Sequence, residues 1–160
     1  MANSPSKRVM RRRAADNTYF HRDFHGVLSA GLDHLERQYG VEAVPAFLRR
    51  FVRQYHAPLR AALVTEGLKP LREYLERIYT LEGAEFTCDE LPESLTLTLS
   101  GHPAFAYLRQ NGYAIAPSFL ETTRYLYETL CEGTPWAFEF QELDSQTGAC
   151  RLRFFRRLSP

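Results

Sequence analysis

The period of the hydrophobic pattern first changes close to Gly83, and that change most constrains the fold. Before Gly83 the apolar residues recur every three to four positions, as in the segment LKPLREYLERIYTLEG. This spacing predicts amphipathic helices. After Gly83 the segments AEFTCDEL and SLTLTLSG alternate, with Leu95, Leu97 and Leu99 on one face. Alternation of this kind predicts half-buried β-strands, so helices have to pack against a sheet.

The order of the segments predicts the architecture. Helical spacing indicates a first helix that is capped by Asn17 and ends at Gly40, a second at about 42–56, and two more before the first strands. Two helices follow those strands, the second with Ser118 and Glu121 as a capping box. The C-terminal segment predicts a hairpin around DSQTG. We therefore expect an α+β fold: N-terminal helices, then an antiparallel sheet of about four strands with two inserted helices.

The distribution of charge separates a tail from a domain. The chain has 160 residues, 44% of them hydrophobic, which is enough for one substantial core. Five of its 20 Lys and Arg residues lie in the first thirteen positions, without an acidic residue, and the remainder has 15 against 19 Asp and Glu. We expect residues 1–16 to be a disordered basic tail and residues 17–160 to form a single α+β domain. Because no aromatic residues interleave the tail, we expect no nucleic-acid partner.

Apolar runs and cysteine spacing bear on the compartment. The apolar runs are too short to cross a bilayer, and the basic start is not followed by the apolar segment of a signal peptide. We therefore expect no membrane partner. Cys88, Cys131 and Cys150 show no CxxC spacing, which predicts neither a disulfide framework nor a zinc knuckle. This usage favours a reduced, cytoplasmic protein.

Two histidines lie four residues apart in TYFHRDFHG, on the predicted first helix. At about 100° per residue, His21 and His25 lie about 40° apart on the shoulder of the apolar face, whereas Asp23 points away into solvent. Three interpretations stay open: histidines at a helix–helix seam, a pocket that acts on a small molecule without a metal, or a divalent metal site such as zinc. A zinc ion needs a third protein ligand, which His56 or His102 would supply, and we take His21, His25 and His56 as the candidate metal set. The cofactor is otherwise unknown.

A glycine lies on the apolar face of the same helix. Gly31 costs about 1 kcal/mol in helix propensity relative to alanine. Close approach of another helix or of a ligand would explain that cost, and the sequence favours tight helix packing at Gly31.

A second group of candidates lies in SGHPAFAYLRQNGYAIAPSFLETTRYLYETL. His102 stands between a predicted strand and a helix, where functional side chains are common, and is a candidate general base. Thr122 and Thr123 share the apolar face of the next helix, so their hydroxyl groups need partners, which a ligand or the preceding turn can supply. Tyr113 and Arg124 are candidates for lining the same pocket.

Three segments carry a resemblance to a known family: FHGVLSAGLDHLERQYGVEAV, then SGHPAFAYLRQNGYAIAPSFLETTRYLYETLCEG, then GACRLRFFRR. Over residues 19–157 the layout resembles the L-2-amino-thiazoline-4-carboxylate hydrolase-like family, and more widely vinyl-reductase-type and haem–nitric-oxide-type small-ligand domains. The resemblance implies hydrolytic opening of a cyclic amidine thioether. The family pattern has cysteine where this chain has His102 and again near Leu120, whereas Cys150 matches its last cysteine.

These observations lead to one functional expectation and one alternative. We expect a small-molecule enzyme of hydrolase type, with a pocket between the first helix and the helices that follow the first strands. His21, His25 and His102 are its candidate catalytic residues. The alternative is a non-catalytic binding or sensor module for a small ligand, a metal ion or haem. We expect a small-molecule substrate or ligand as partner, and a homodimer as the assembly.

Overall fold

The structure, a computed structural model, describes residues 22–157 and confirms the α+β fold. In this part of the chain, no helix has both the length and the apolar content needed to cross a bilayer. His21, Asn17 and the basic tail lie outside the described residues. The elements are α1 (Phe24–Tyr39), α2 (Ala43–Tyr55), α3 (Ala57–Thr65), α4 (Lys69–Glu82), β1 (Phe86–Leu91), β2 (Ser94–Leu99), α5 (Pro103–Gln110), α6 (Glu121–Cys131), β3 (Trp136–Gln141) and β4 (Cys150–Arg156).

The four strands form one antiparallel sheet in the order β1-β2-β4-β3. The central strands β2 and β4 pair so that Leu97 lies opposite Leu152, and Thr96 lies opposite Arg153. Side chains alternate between the two faces of a strand, so one face is apolar and the other is polar. The alternation of SLTLTL therefore predicted the orientation of β2 correctly.

The apolar face of the sheet forms the larger of two hydrophobic clusters. Leu97, Leu152 and Phe154 are completely buried there. Helices α3, α4 and α6 cover them with their own apolar residues, chiefly Leu63, Leu71, Leu75, Tyr127 and Leu130. Burial of each such side chain contributes about 1.5–3 kcal/mol relative to exposure, so this layer accounts for much of the stability.

The second hydrophobic cluster joins α1, α2, α5 and the loop before α6. Leu32 of α1 meets Leu48 of α2, Phe105 and Leu108 of α5, and Phe119 of the loop. Helix α2 takes part in both clusters, because Val52, one turn after Leu48, packs in the first.

The predicted capping box at the start of α6 is wrong. The helix begins only at Glu121, and Leu120 occupies the capping position without a side-chain hydrogen bond. Ser118 instead accepts a bond from the Glu121 N–H through its carbonyl oxygen, at 3.1 Å, and its hydroxyl has no partner among residues 22–157. Phe119 packs in the second cluster, and the chain makes an extra turn there before α6 begins. A capping box requires a serine directly before the first helical turn, a position that Ser118 does not occupy.

The prediction of tight packing at Gly31 is also wrong. Gly31 is exposed, and a Cβ atom there would meet nothing within 4 Å. The close approach occurs at Gly26, where a Cβ would lie 2.9 Å from Cε1 of Tyr113. The helix is rotated relative to the predicted apolar face, because the Ser29 hydroxyl is buried between the Ala114 carbonyl (2.8 Å) and the Ala116 N–H (2.9 Å).

The two glycines of α1 are expected to respond differently to alanine. Gly31→Ala should raise the free energy of unfolding by about 1 kcal/mol, since it gains helix propensity without a steric cost. Gly26→Ala should gain less or lose stability, because it displaces the Tyr113 ring. Urea unfolding, followed by fluorescence of the single, buried Trp136, measures both.

Removal of the ring provides the control for this comparison. In a Tyr113→Ala background, Gly26→Ala should recover the stabilisation that Gly31→Ala shows in the unaltered protein. Equal stabilisation by both alanines in the unaltered protein would contradict the packing at Gly26.

Candidate functional site

His25 forms a buried pair with a carboxylate at the end of α4. Its Nε2 atom lies 3.1 Å from Oε2 of Glu82, and the two side chains are only 10% and 9% exposed. Arg22 donates hydrogen bonds to the carbonyl oxygens of Leu81 (3.5 Å) and Glu82 (3.0 Å), where the last turn of a helix leaves carbonyls without partners. These contacts fasten the start of α1 to the end of α4.

His102 forms a second pair with a hydroxyl group on α6. Its Nε2 atom lies 3.2 Å from Oγ1 of Thr123, which is buried. His102 occupies the capping position of α5, and it is only partly buried as a whole residue. Its Nδ1 atom, however, is inaccessible to solvent and has no hydrogen-bond partner among the described residues. One ring nitrogen is therefore held by Thr123, and the other is available within the protein.

The two pairs belong to one electrostatic site. Burial lowers the pKa of His102 to about 4, the negative charge of Glu82 opposes that effect, and His25 adds to it. His102 is therefore neutral at physiological pH, with one ring nitrogen as donor and the other as acceptor. We call His25, Glu82, His102 and Thr123 the two-histidine site. Each pair connects a helix of the second cluster to one that packs in the first.

Two tyrosines lie beside this site. The Tyr107 ring centroid is 6.3 Å from that of His25, and the Tyr107 hydroxyl donates a hydrogen bond to the Asp23 carboxylate. Tyr113 stacks on Tyr107 at 6.3 Å and remains 42% exposed. Tyr113, a predicted pocket residue, is thus one ring away from His25, and Asp23 pairs with a neighbour at the surface.

His56 lies in an aromatic environment. Its ring contacts Phe51 (6.2 Å), Tyr55 (5.1 Å) and Tyr74 (5.6 Å) edge to face, and burial lowers its pKa. Within residues 22–157, no three His, Cys, Asp or Glu side chains are grouped so that they could hold a metal ion. The predicted metal set of His21, His25 and His56 stays a prediction, because His21 lies outside the described residues.

The other two predicted ligand-binding residues have local partners. The Thr122 hydroxyl donates a hydrogen bond to the Phe119 carbonyl at 2.6 Å, so the preceding turn supplies its partner. Threonine hydroxyls in helices often bond to the preceding turn in this way. Arg124 pairs with Glu121 at 3.2 Å and lies over the ring of Phe140. Of the threonine pair on α6, only Thr123 reaches a histidine.

Sequence reasoning missed Glu82. Glu82 directly precedes the helix-ending Gly83, so the sequence could place its carboxylate at the end of α4. No local signal shows that this helix end meets α1, 57 residues earlier in the chain. Tyr107 reaches His25 because α5 packs against α1.

A scan against models of known protein families finds no match to this chain, and a search of curated proteins finds none either. The resemblance described under Sequence analysis stays a prediction.

Acidification should reveal the buried state of His102. Its folded-state pKa of about 4 lies below the ordinary 6.5, so the unfolded chain binds the proton more readily. Stability should therefore fall as the pH decreases from 7 towards 4, by up to about 3 kcal/mol from this group. His102→Gln removes this contribution, so urea unfolding at several pH values should show a weaker pH dependence for that variant.

The exposed His34 on α1 provides the matched control for His102. His34→Gln should keep the pH dependence of the unaltered protein. An equal change in both variants would contradict the assignment of the effect to His102.

A double-mutant cycle should show that His25 and Glu82 stabilise each other. His25→Ala and Glu82→Ala, alone and together, should give a coupling free energy of about 1–3 kcal/mol, because each single change leaves the other polar group buried without its partner. The exposed pair Asp33–Arg37 on the same helix is the control and should couple more weakly. If the changes in the free energy of unfolding for His25→Ala and Glu82→Ala are additive, their contact contributes nothing to stability.

Proposed function

We propose that the protein is a small-molecule enzyme of hydrolase type and that its reaction takes place at the two-histidine site. The single observation that carries this proposal is the buried 3.1 Å contact between His25 and Glu82, two groups that also shift the pKa of the neutral imidazole of His102. Two titratable groups with different environments at one location are typical of acid–base catalysis.

In this proposal His25 is the general base and Glu82 is the residue that orients it. The Nε2–H of His25 donates a hydrogen bond to the carboxylate, which makes Nδ1 the basic nitrogen, and the carboxylate stabilises the imidazolium that forms. His25 then takes a proton from a water molecule as that water attacks the substrate carbon. Glu82 keeps its charge throughout, as the carboxylate in a histidine–carboxylate pair does.

His102 is assigned a different role from the one that the sequence predicted. A pKa of about 4 makes His102 a weak base at neutral pH, so the role of general base is assigned to His25. With the Thr123 hydroxyl donating to Nε2, Nδ1 of His102 carries a proton inside the protein. In this proposal substrate binding uncovers that buried N–H, which then donates to the substrate atom that gains negative charge during attack, in the manner of an oxyanion hole.

The cysteines support a water-based mechanism rather than a thiol-based one. Cys150, which matches the family's last cysteine, is buried against the sheet, and burial raises its pKa to about 11. A thiol with so high a pKa is a poor nucleophile at neutral pH. All three cysteines are unpaired in the structure, which agrees with the proposed cytoplasmic location.

The substrate class in this proposal is a small cyclic amidine, as the family resemblance implies. Glu82 contacts His25, and Asp23 accepts a bond from Tyr107, whose ring lies 6.3 Å from that of His25. These two negative charges favour a cationic amidinium group. The water attacks the amidine carbon, the carbon–sulfur bond breaks, and the thiolate that leaves takes up the proton from His25 and becomes a thiol.

A non-catalytic binding module for a small ligand is the second candidate. It is favoured by His102 Nδ1, a buried polar atom that has no partner among residues 22–157, because such an atom is suited to bind a ligand by a hydrogen bond. In this case the ligand binds at the same site and leaves unchanged. The homodimer predicted from the sequence stays a prediction under both candidates.

Turnover measurements should distinguish these functions. The purified protein is incubated with L-2-amino-thiazoline-4-carboxylate and a panel of cyclic amidines, amides and esters, and products are detected by mass spectrometry and a thiol-reactive dye. His25→Gln and Glu82→Gln should each lower kcat/KM by about 100-fold or more, since the base or its orienting group is lost. The control His34→Gln should keep full activity.

Two results would contradict the enzyme proposal. Full turnover by folded His25→Gln would remove the base from the mechanism. Ligand-induced thermal stabilisation without product, lost in His102→Leu, would favour the binding module.

A further inference from the structure

The turn between β3 and β4, residues 142–149, packs directly against His102. We infer that this turn positions the imidazole of His102 and that Gly148 is the positioning residue within it. The catalytic significance of this device rests on the proposed function, whereas the positioning itself does not. Neither the fold class nor the histidine pattern predicts such a role for a hairpin turn.

Internal hydrogen bonds make the turn a defined unit. The Asp144 carboxylate accepts from the Gln146 N–H at 2.8 Å and from the Thr147 hydroxyl at 2.7 Å. The Gly148 N–H donates to the Asp144 carbonyl at 2.7 Å. The hydrogen bond from Thr147, followed by that from Gln146, lowers the pKa of Asp144, so the carboxylate stays ionised and keeps its partners. A turn with these bonds presents its outer atoms in one fixed arrangement.

The turn is attached to both ends of α5. At the start of the helix, the His102 N–H donates to the Thr147 carbonyl at 3.1 Å. In the last turn, the Arg109 guanidinium donates to the Gln146 carbonyl. The turn thus lies alongside α5, and His102 is held by its own backbone amide.

Gly148 allows the turn to come this close. A Cβ atom at Gly148 would lie 2.5 Å from the Cβ of His102 and 3.3 Å from its backbone nitrogen. Real Cβ contacts are never so short, so any other residue would push the turn and His102 apart. Gly148 also has a φ of +72°, a left-handed conformation that glycine adopts readily.

His102 depends on this support because the helix does not fix it. As the capping residue of α5 it has extended backbone angles, φ −81° and ψ 115°, and its side chain makes no capping bond. The turn contacts it from one side, and Thr123 holds its Nε2 on the other. Withdrawal of the turn would free the ring to leave Thr123, and Nδ1 would become accessible to water.

The experiment compares two alanine substitutions that share the same backbone cost. Gly148 (φ +72°) and Gly133 (φ +69°) both have left-handed backbones, but a Cβ at Gly133 would meet nothing within 4 Å. Gly148→Ala and Gly133→Ala are labelled with ¹⁵N histidine, and the His102 ring nitrogens are followed by NMR from pH 3 to pH 8.

In the unaltered protein and in Gly133→Ala, His102 should stay neutral until about pH 4. In Gly148→Ala, its pKa should rise towards 6.5 by about 1 or more, because the ring becomes hydrated. A His102 titration that is the same in Gly148→Ala and the unaltered protein would overturn the inference, as would an equal rise in Gly133→Ala.

A second variant keeps the inference testable if Gly148→Ala does not fold. Asp144→Ala, at an exposed position, removes two bonds within the turn without adding an atom near His102. It should shift the His102 titration in the same direction, whereas Ser145→Ala, at an exposed position in the same turn, should not. No shift in Asp144→Ala would overturn the inference. A shifted titration without any detectable turnover would retain the positioning role and contradict only the proposed function.

Discussion

Burial of one face of the β2–β4 strand pair is the constraint on which the rest of the structure depends. Leu97, Leu152 and Phe154 are completely covered, and only helices on that side can cover them. The opposite face carries the threonines of β2 and the arginines of β4, which remain in contact with solvent. Helices α3, α4 and α6 therefore occupy one side of the sheet, and the end of α4 takes a defined position.

The candidate site lies where the two hydrophobic clusters are connected by polar groups. Buried polar groups without partners cost about 1–3 kcal/mol each, so the His25–Glu82 and His102–Thr123 pairs favour one arrangement of the helices over others. The same burial that demands a partner also keeps His102 neutral. Stability and the chemistry proposed for the site thus depend on the same contacts.

Sequence patterns predicted the elements well and their contacts less well. The alternation of SLTLTL predicted a strand with one buried face, because a strand's periodicity needs no knowledge of its neighbours. The packing at Gly26 rather than Gly31 could not be predicted in this way, since the rotation of α1 depends on Ser29 bonds to a loop 85 residues later. Ser118 failed as a cap for a similar reason, because Phe119 packs in a cluster formed by distant segments.

The sequence by itself determined the class of fold, the order of helices and strands, and the place of His25 beside the apolar face of α1, because these follow from local periodicity. Only the tertiary structure decided which residues the histidines meet. Glu82 reaches His25 from α4, Thr123 reaches His102 from α6, and Gly148 approaches His102 from a hairpin turn. Contacts across such separations depend on how whole elements pack, and no local pattern records that packing.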